Sequence, residues 1–269
     1  MAVTFTRRGD IPFYHCAQPA WAGAAHGFST RVGGVSPAPW DTLNLGAGRG
    51  DEAANVAENF RRFCAVLGCP TRLVKNRQEH TCRVRVVGEA DALPSPADRG
   101  DRSADALITD VPGICLTAFT ADCIPILLYD PVRRAVGAAH GGWRGAAGGI
   151  AAETVRAMVR AYGCRPEDIL AAIGPGIGPC CFETHGDVPD AVTAGLGAKA
   201  APLITPLPGT DKFRVDLKGV NAQWLQAAGV APEHIARCGA CTACHPELFW
   251  SHRRVGNARG SMAALIALR

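Results

Sequence analysis

No stretch of the 269 residues holds the roughly 18 consecutive apolar residues of a membrane-spanning helix, so a helical membrane protein is not expected. The opening segment Met1 to Phe13 lacks the continuous apolar core of a secretory signal, which predicts a cytoplasmic protein with no membrane partner. Clustered basic charge is also missing. The formal net charge is +4, and arginine gathers only in pairs such as Arg7-Arg8, Arg133-Arg134 and Arg253-Arg254, too sparse a pattern for a nucleic-acid stripe. Histidine is scarce: the eight positions (15, 26, 80, 140, 185, 234, 245, 252) include no His-x-His pair. A trinuclear copper cluster needs many imidazoles, usually in such pairs, so multicopper oxidase chemistry is disfavoured. Long flexible linkers are absent too, which argues for one domain.

What is present is a large apolar fraction, 48% of the chain, enough for a substantial core. The twelve cysteines do not describe a disulfide scaffold, because such scaffolds are short and secreted. Most should be reduced thiols.

Three times the chain reads as helix, Gly stop, Pro and β-rich run: at Leu67-Gly68-Cys69-Pro70, from Ala152 through Gly163 to Ile169, and from Val220 through Gly229 to Ile235. The last two share G-x-x-P-E-x-I, either a repeated α-to-β unit or a common turn. Ile124 to Tyr129 and Ala135 to Ala139 read as buried strands around the turn 130–134, with Cys123 and His140 at their outer ends. A glycine loop from Gly141 to Gly145 and a helix beginning near Ile150 follow, a place where α/β folds hold ligands. The segments Ala90 to Arg102 and Pro202 to Lys212 read as surface loops. Together these signs predict a single mixed α/β domain over 1–269.

Neutral imidazole and thiolate suit zinc, and three protein ligands with an open fourth position make a site that activates water or polarises a substrate. His80, Cys123 and His140 are of the right types but lie in separate segments. Spacing alone leaves them equally open to ordinary roles: Cys123 as a small buried hydrophobe, His140 as a hydrogen-bonded structural residue, the glycines after it as packing. A second pattern, Cys238-x-x-Cys241-x-x-Cys244-His245, has the spacing of a zinc or iron–sulfur site of its own. Cys180-Cys181 adjoin Gly178-Pro179, and zinc rarely takes both members of such a pair. The run from Ile173 to Gly178 is too irregular for a dinucleotide fingerprint.

Motifs along the chain resemble the laccase-domain family, also described as multicopper polyphenol oxidase-like proteins and as purine nucleoside phosphorylases. The strings are His26-Gly27-Phe28-Ser29-Thr30-Arg31, Gly33-Gly34-Val35-Ser36, Leu43-Asn44-Leu45-Gly46, Gln78-x-His80 and Asp105-Ala106-Leu107-Ile108-Thr109. They continue with Ala121-Asp122-Cys123-x-Pro125-Ile126, Ala139-His140-x-Gly142-Trp143-Arg144-Gly145, Ile173-Gly174-Pro175-x-Ile177-Gly178, Cys241-Thr242 and Phe249-x-Ser251-x-Arg253. The resemblance implies a layered α/β sandwich with mixed β-sheets, a monomer or homodimer, and zinc held by His80, Cys123 and His140. It further implies phosphorolysis of adenosine, inosine, guanosine and methylthioadenosine, and adenosine deamination. Under it the Cys180-Cys181 pair is structural, and Cys241 falls within a family string while the role of Cys238, Cys241, Cys244 and His245 stays open. Arg31 and Arg144, each in a glycine-containing string, are candidates for phosphate or ribose contacts, and Gln78 and Asp122 for orienting ligands or base. A different chemistry stays open: Cys123 as a thiol nucleophile with His140 as base, in an amidase acting on a peptidoglycan precursor.

Overall fold

The computed structural model describes residues 1–269 as four layers, helix, sheet, sheet, helix. The first six-stranded sheet runs in the order Thr4–Arg8, Ile11–His15, Ala24–Ser29, Met262–Leu268, Cys115–Thr120, Leu73–Val74. The second runs Ile235–Arg237, Leu170–Ile173, Ile124–Asp130, Ala135–Gly141, Ala106–Thr109, Val84–Val86. Each mixes antiparallel and parallel pairs. A small third sheet joins Glu183–Thr184, Phe213–Val215 and Ile204–Pro206.

Strand alternation builds these layers. In Ile124–Asp130, Ile124, Ile126 and Leu128 face the helical layer while Leu127 and Tyr129 face the other sheet, so the strand reads as an unbroken apolar run because both its faces are covered. Phe28, Leu116 and Ile266 meet Leu127, Val136 and Leu170 between the sheets. Helix α1 (Ala53–Leu67) closes the outside of the first sheet through Phe60, Phe63 and Cys64. The outside of the second is covered chiefly by Ile150–Tyr162 and Leu217–Ala227.

The expected helix-to-strand punctuation is present. Gly68 and Gly163 end their helices in the left-handed region (φ 72° and 64°), where glycine pays no Cβ penalty. Both G-x-x-P-E-x-I strings form a 3₁₀ turn and a strand, and those two strands lie side by side in parallel, Ala171 against Ile235. The hairpin is also as expected, with Pro125 opposite His140. Three readings change. Trp143–Ala147 is a short helix rather than a loop, followed by Gly148-Gly149 and the longer helix. Pro202 to Lys212 contributes the strand Ile204–Pro206 as a partner of Phe213–Val215. Ala90 to Arg102 is irregular but is more than surface, because its residues 98–101 wall a cavity that also borders His80 and Cys123.

Candidate metal centre and cationic cavity

The chain crosses from the first sheet to the second twice near one point, and each crossing supplies a candidate ligand. His80 lies between Leu73–Val74 and Val84–Val86, and Cys123 between Cys115–Thr120 and Ile124–Asp130. His140 arrives on the strand paired with the latter. The three ligand atoms lie within 4.8 Å of one another, and His80 Nε2 stands 3.7 Å from Cys123 Sγ. Zinc bonds of about 2.0–2.3 Å in a tetrahedron set such an N···S edge at about 3.6 Å, so these residues fit the ion.

Local backbone explains why these three meet. His80 (φ 62°) and Asp122 (φ 94°) both occupy the left-handed region, an uncommon state that must be held from outside. Asp105 holds the first. Its carboxylate accepts from the backbone N–H of Glu79, His80 and Thr81 and from the Thr81 hydroxyl, at 2.8–3.2 Å. The same carboxylate takes His140 Nδ1 at 2.9 Å, which leaves Nε2 free for the metal. Asp122 is clamped by Thr242 Oγ1 (2.6 Å), Ser251 Oγ (2.9 Å) and the Arg253 amide (2.7 Å), while its carbonyl accepts from Ile177 N–H (2.8 Å). Gly142 makes room. A Cβ there would lie 2.1 Å from His80 Cδ2, so glycine at this place is a requirement of the site.

Electrostatics ready the donors. Burial raises the Cys123 thiol, but the neighbouring His140 and His80 reverse this and bring it down to about 6. Burial lowers His140, and the facing Cys123 and Asp105 outweigh it, lifting the imidazole to about 9. A thiolate therefore forms readily beside its partners.

Above the trio opens a cavity of about 570 Å³ walled by Arg49, Lys75, Arg77, Arg99 and Arg259, with Asp98 and Asp101 as its acids. Arg259 is buried, its Nε has no partner, and burial together with Arg49 lowers it to about 10. Burial and Arg99 lower Arg49 as well. Lys75 lies over Phe60 and Phe119, 4.1 and 5.6 Å from the ring centroids, and donates to the carbonyls of Pro96 and Asp98. Burial brings its amine down to about 7.

Of the residues singled out from sequence, His80, Cys123, His140 and Gln78 border the cavity. Gln78 pins Phe119 by both its backbone groups (2.7 and 2.8 Å). Asp122 is buried among its donors. Arg31 and Arg144 lie outside the lining: Arg31 stacks over Trp250 and pairs with Asp41, and Arg144 is exposed over the Trp143 ring. Sequence reasoning gave no role to Asp105, although it opens the apolar run 106–108 where a buried acid needs a reason. Arg49, Lys75 and Arg259 carried no motif signal of their own.

The family model described as multi-copper polyphenol oxidoreductase laccase matches residues 25–269. The chain belongs to that family. Purine nucleoside phosphorylase YlmD of Geobacillus stearothermophilus is 38% identical over 261 residues, covering 94% of this chain and 93% of that protein. Purine nucleoside phosphorylase YfiH of Escherichia coli is 38% identical over 254 residues, covering 93% and 97%. The crystal structure of the Bacillus licheniformis hypothetical protein YfiH superposes with a TM-score of 0.90 at 34% identity, over 98% of this chain and 99% of that one. Despite the copper in the family's description, only two of the eight histidines of this laccase-domain chain, His80 and His140, meet at the centre.

Proposed function

We propose that this chain is a zinc-dependent purine nucleoside phosphorylase of the cytosol, splitting adenosine, inosine, guanosine and methylthioadenosine and also deaminating adenosine. One observation carries the reading: a two-His, one-Cys centre at the floor of a cationic cavity that includes Arg49, Arg99 and the buried Arg259, whose Nε has no partner. The names of the two phosphorylase relatives point the same way.

Bound zinc would supply Lewis acidity beside the substrate. The chain's own groups do the rest. Arg49 and Arg259, with Arg99 beside them, bind phosphate, because a guanidinium pair without a carboxylate partner is completed by a dianion. This assigns them the phosphate role that motif position had suggested for Arg31 and Arg144. Held against the ribose, a phosphate oxygen bonds to the anomeric carbon as the bond to the purine nitrogen breaks, and the base leaves with the electron pair and takes up a proton. Cations fixed in place stabilise the charge that develops. Asp105 keeps His140 in the tautomer whose Nε2 lone pair faces the centre.

The test incubates zinc-loaded protein with adenosine and inosine, with and without phosphate, and identifies products by mass. Phosphate-dependent release of base, or inosine from adenosine, absent in Cys123→Ala, is expected. Arg259→Met should raise the phosphate KM at least tenfold. Absence of product from both nucleosides sinks the reading.

One arrangement favours a second reading, an amidase acting on a peptidoglycan precursor: Cys123, His140 and Asp105 stand in the order nucleophile, base, orienting acid. Chelation separates the two. Turnover that survives metal removal but not alkylation of Cys123 belongs to the thiol chemistry.

A further inference from the structure

Away from the cavity, two loops bring four thiols together. Cys180 and Cys181 follow Gly178-Pro179, and Cys241 and Cys244 form a C-x-x-C turn more than fifty residues later. Their sulfurs all lie within 4.8 Å of one another, with Cys244 Sγ 3.5 Å from Cys180 Sγ and 3.4 Å from Cys181 Sγ. Burial in an apolar core does not explain the grouping, since Cys180 and Cys244 are exposed and Cys181 is half-buried. Nor is any of the four joined in a disulfide.

The dimensions match a tetrathiolate. Zinc–sulfur bonds of about 2.3 Å in a tetrahedron set sulfur–sulfur edges at about 3.8 Å, within the spread of these four atoms. Support from outside the four sulfurs is present as well. The Gly178 amide donates to Cys241 Sγ at 3.1 Å, a bond that favours thiolate over thiol. Gly178 is also a close approach, because a Cβ there would stand 3.2 Å from both Cys180 Sγ and Cys241 Cβ. Arg253 donates to the carbonyls of Cys181 and Glu183, and Arg254 to that of Ala243, tying both loops to one short helix, His252–Val255. Cys238 and His245, which share the sequence pattern, stand apart: Cys238 is buried with its carbonyl on Lys218, and His245 pairs with Glu247.

We propose that Cys180, Cys181, Cys241 and Cys244 form a second zinc site, closed by four thiolates and therefore structural; it takes both members of the adjacent pair, against the expectation from sequence, because both sulfurs face Cys244. Each thiol gives up its proton to the solvent as the ion binds. The site's purpose follows from what its loops hold. Gly176 bridges to Cys241, Thr242 bonds Asp122, and Ile177 bonds the Asp122 carbonyl, so the clamped loops fix the residue that aims Cys123. The inference stands whatever reaction the first centre performs.

The experiment counts metal, not turnover. Whole protein purified under reducing, anaerobic conditions with zinc is assayed by elemental analysis beside Cys123→Ala and Cys180→Ser/Cys244→Ser. Wild type is expected to hold about two zinc ions per chain and each variant about one. Cobalt-loaded Cys123→Ala should show the intense thiolate-to-cobalt bands of a tetrathiolate, which Cys180→Ser/Cys244→Ser should lack. If the double variant does not fold, alkylation of wild type replaces it: zinc should protect all four cysteines, and a chelator should expose them. A folded Cys123→Ala protein free of zinc overturns the site. So does a Cys180–Cys244 or Cys181–Cys244 disulfide in the freshly purified chain, or alkylation of the four at equal rates with and without zinc.

Discussion

Asp105 shows how much of the centre rests on one carboxylate. Burial would raise it, yet bonds from His140 and Thr81 hold it far below the ordinary carboxylate range, so it stays charged wherever the protein is folded. Asp105→Asn keeps the shape but loses the charge and offers an N–H where an amide now donates. Zinc affinity at the first centre should fall about 10–100-fold, measured by competition with a chromophoric chelator. A second residue-scale prediction concerns His26, buried against Trp21 at 4.3 Å. Its Nδ1 faces the Ala24 carbonyl, and its Nε2 accepts from the Cys16 amide, so the ring fits only when neutral. Burial and the nearby His15 and Arg269 bring its pKa down to about 4, against only the Ala24 bond in the other direction. The native pKa lies below the unfolded value of about 6.5, so this contribution is complete above pH 6.5 and fades as pH falls towards 4. Metal-free protein should lose roughly 2 kcal/mol at pH 5 relative to pH 7.5 through this group. His26→Gln should show a correspondingly flatter profile in urea unfolding; identical slopes would refute the assignment.

At the scale of elements, the start of Trp143–Ala147 decides whether the centre closes. Gly142 has φ −63°, open to any residue, so Gly142→Ala strains no backbone. The three atoms nearest the new methyl all belong to the His80 ring, and that ring sits on an accessible crossing segment. The variant should therefore fold with a Tm within a few degrees of wild type while its first-centre zinc affinity falls at least tenfold. Loss of the fold instead would show that Gly142 serves packing, as its glycine neighbours do. Helix boundaries and the central hairpin were legible from sequence because local signals set them: a glycine that alone tolerates positive φ, a proline that cannot continue a helix, an apolar run bounded by turn residues. The strand Ile204–Pro206 and the walling role of residues 98–101 were not, because partners distant in the chain create both.

At the scale of the molecule, Met262–Leu268 lies between Ala24–Ser29 and Cys115–Thr120 and joins the ends of the chain into one sheet. Its Ala264 and Ile266 enter the layer between the sheets, and Leu265 and Ala267 pack towards α1. Removing residues 262–269 should leave two unpaired strand edges and two opened cores, giving a chain without native circular dichroism. The intact metal-free protein should unfold in one transition, since both sheets share that inner layer. Two separate transitions would contradict a single unit.

The sequence by itself determined the mixed α/β class, the helix-to-strand units, the hairpin bearing Cys123 and His140, and, through family motifs, the three candidate ligands. These are legible because backbone preference, apolar period and ligand chemistry belong to residues or short segments. Only the tertiary structure decided that Asp105 serves both histidines, that Arg49 and Arg259 rather than Arg31 and Arg144 wall the cavity, and that Cys180 and Cys181 meet Cys241 and Cys244. Each of these is a distance between segments that sheet order brings together, and sheet order is set by which apolar faces bury one another, a property of the whole chain that no local stretch records.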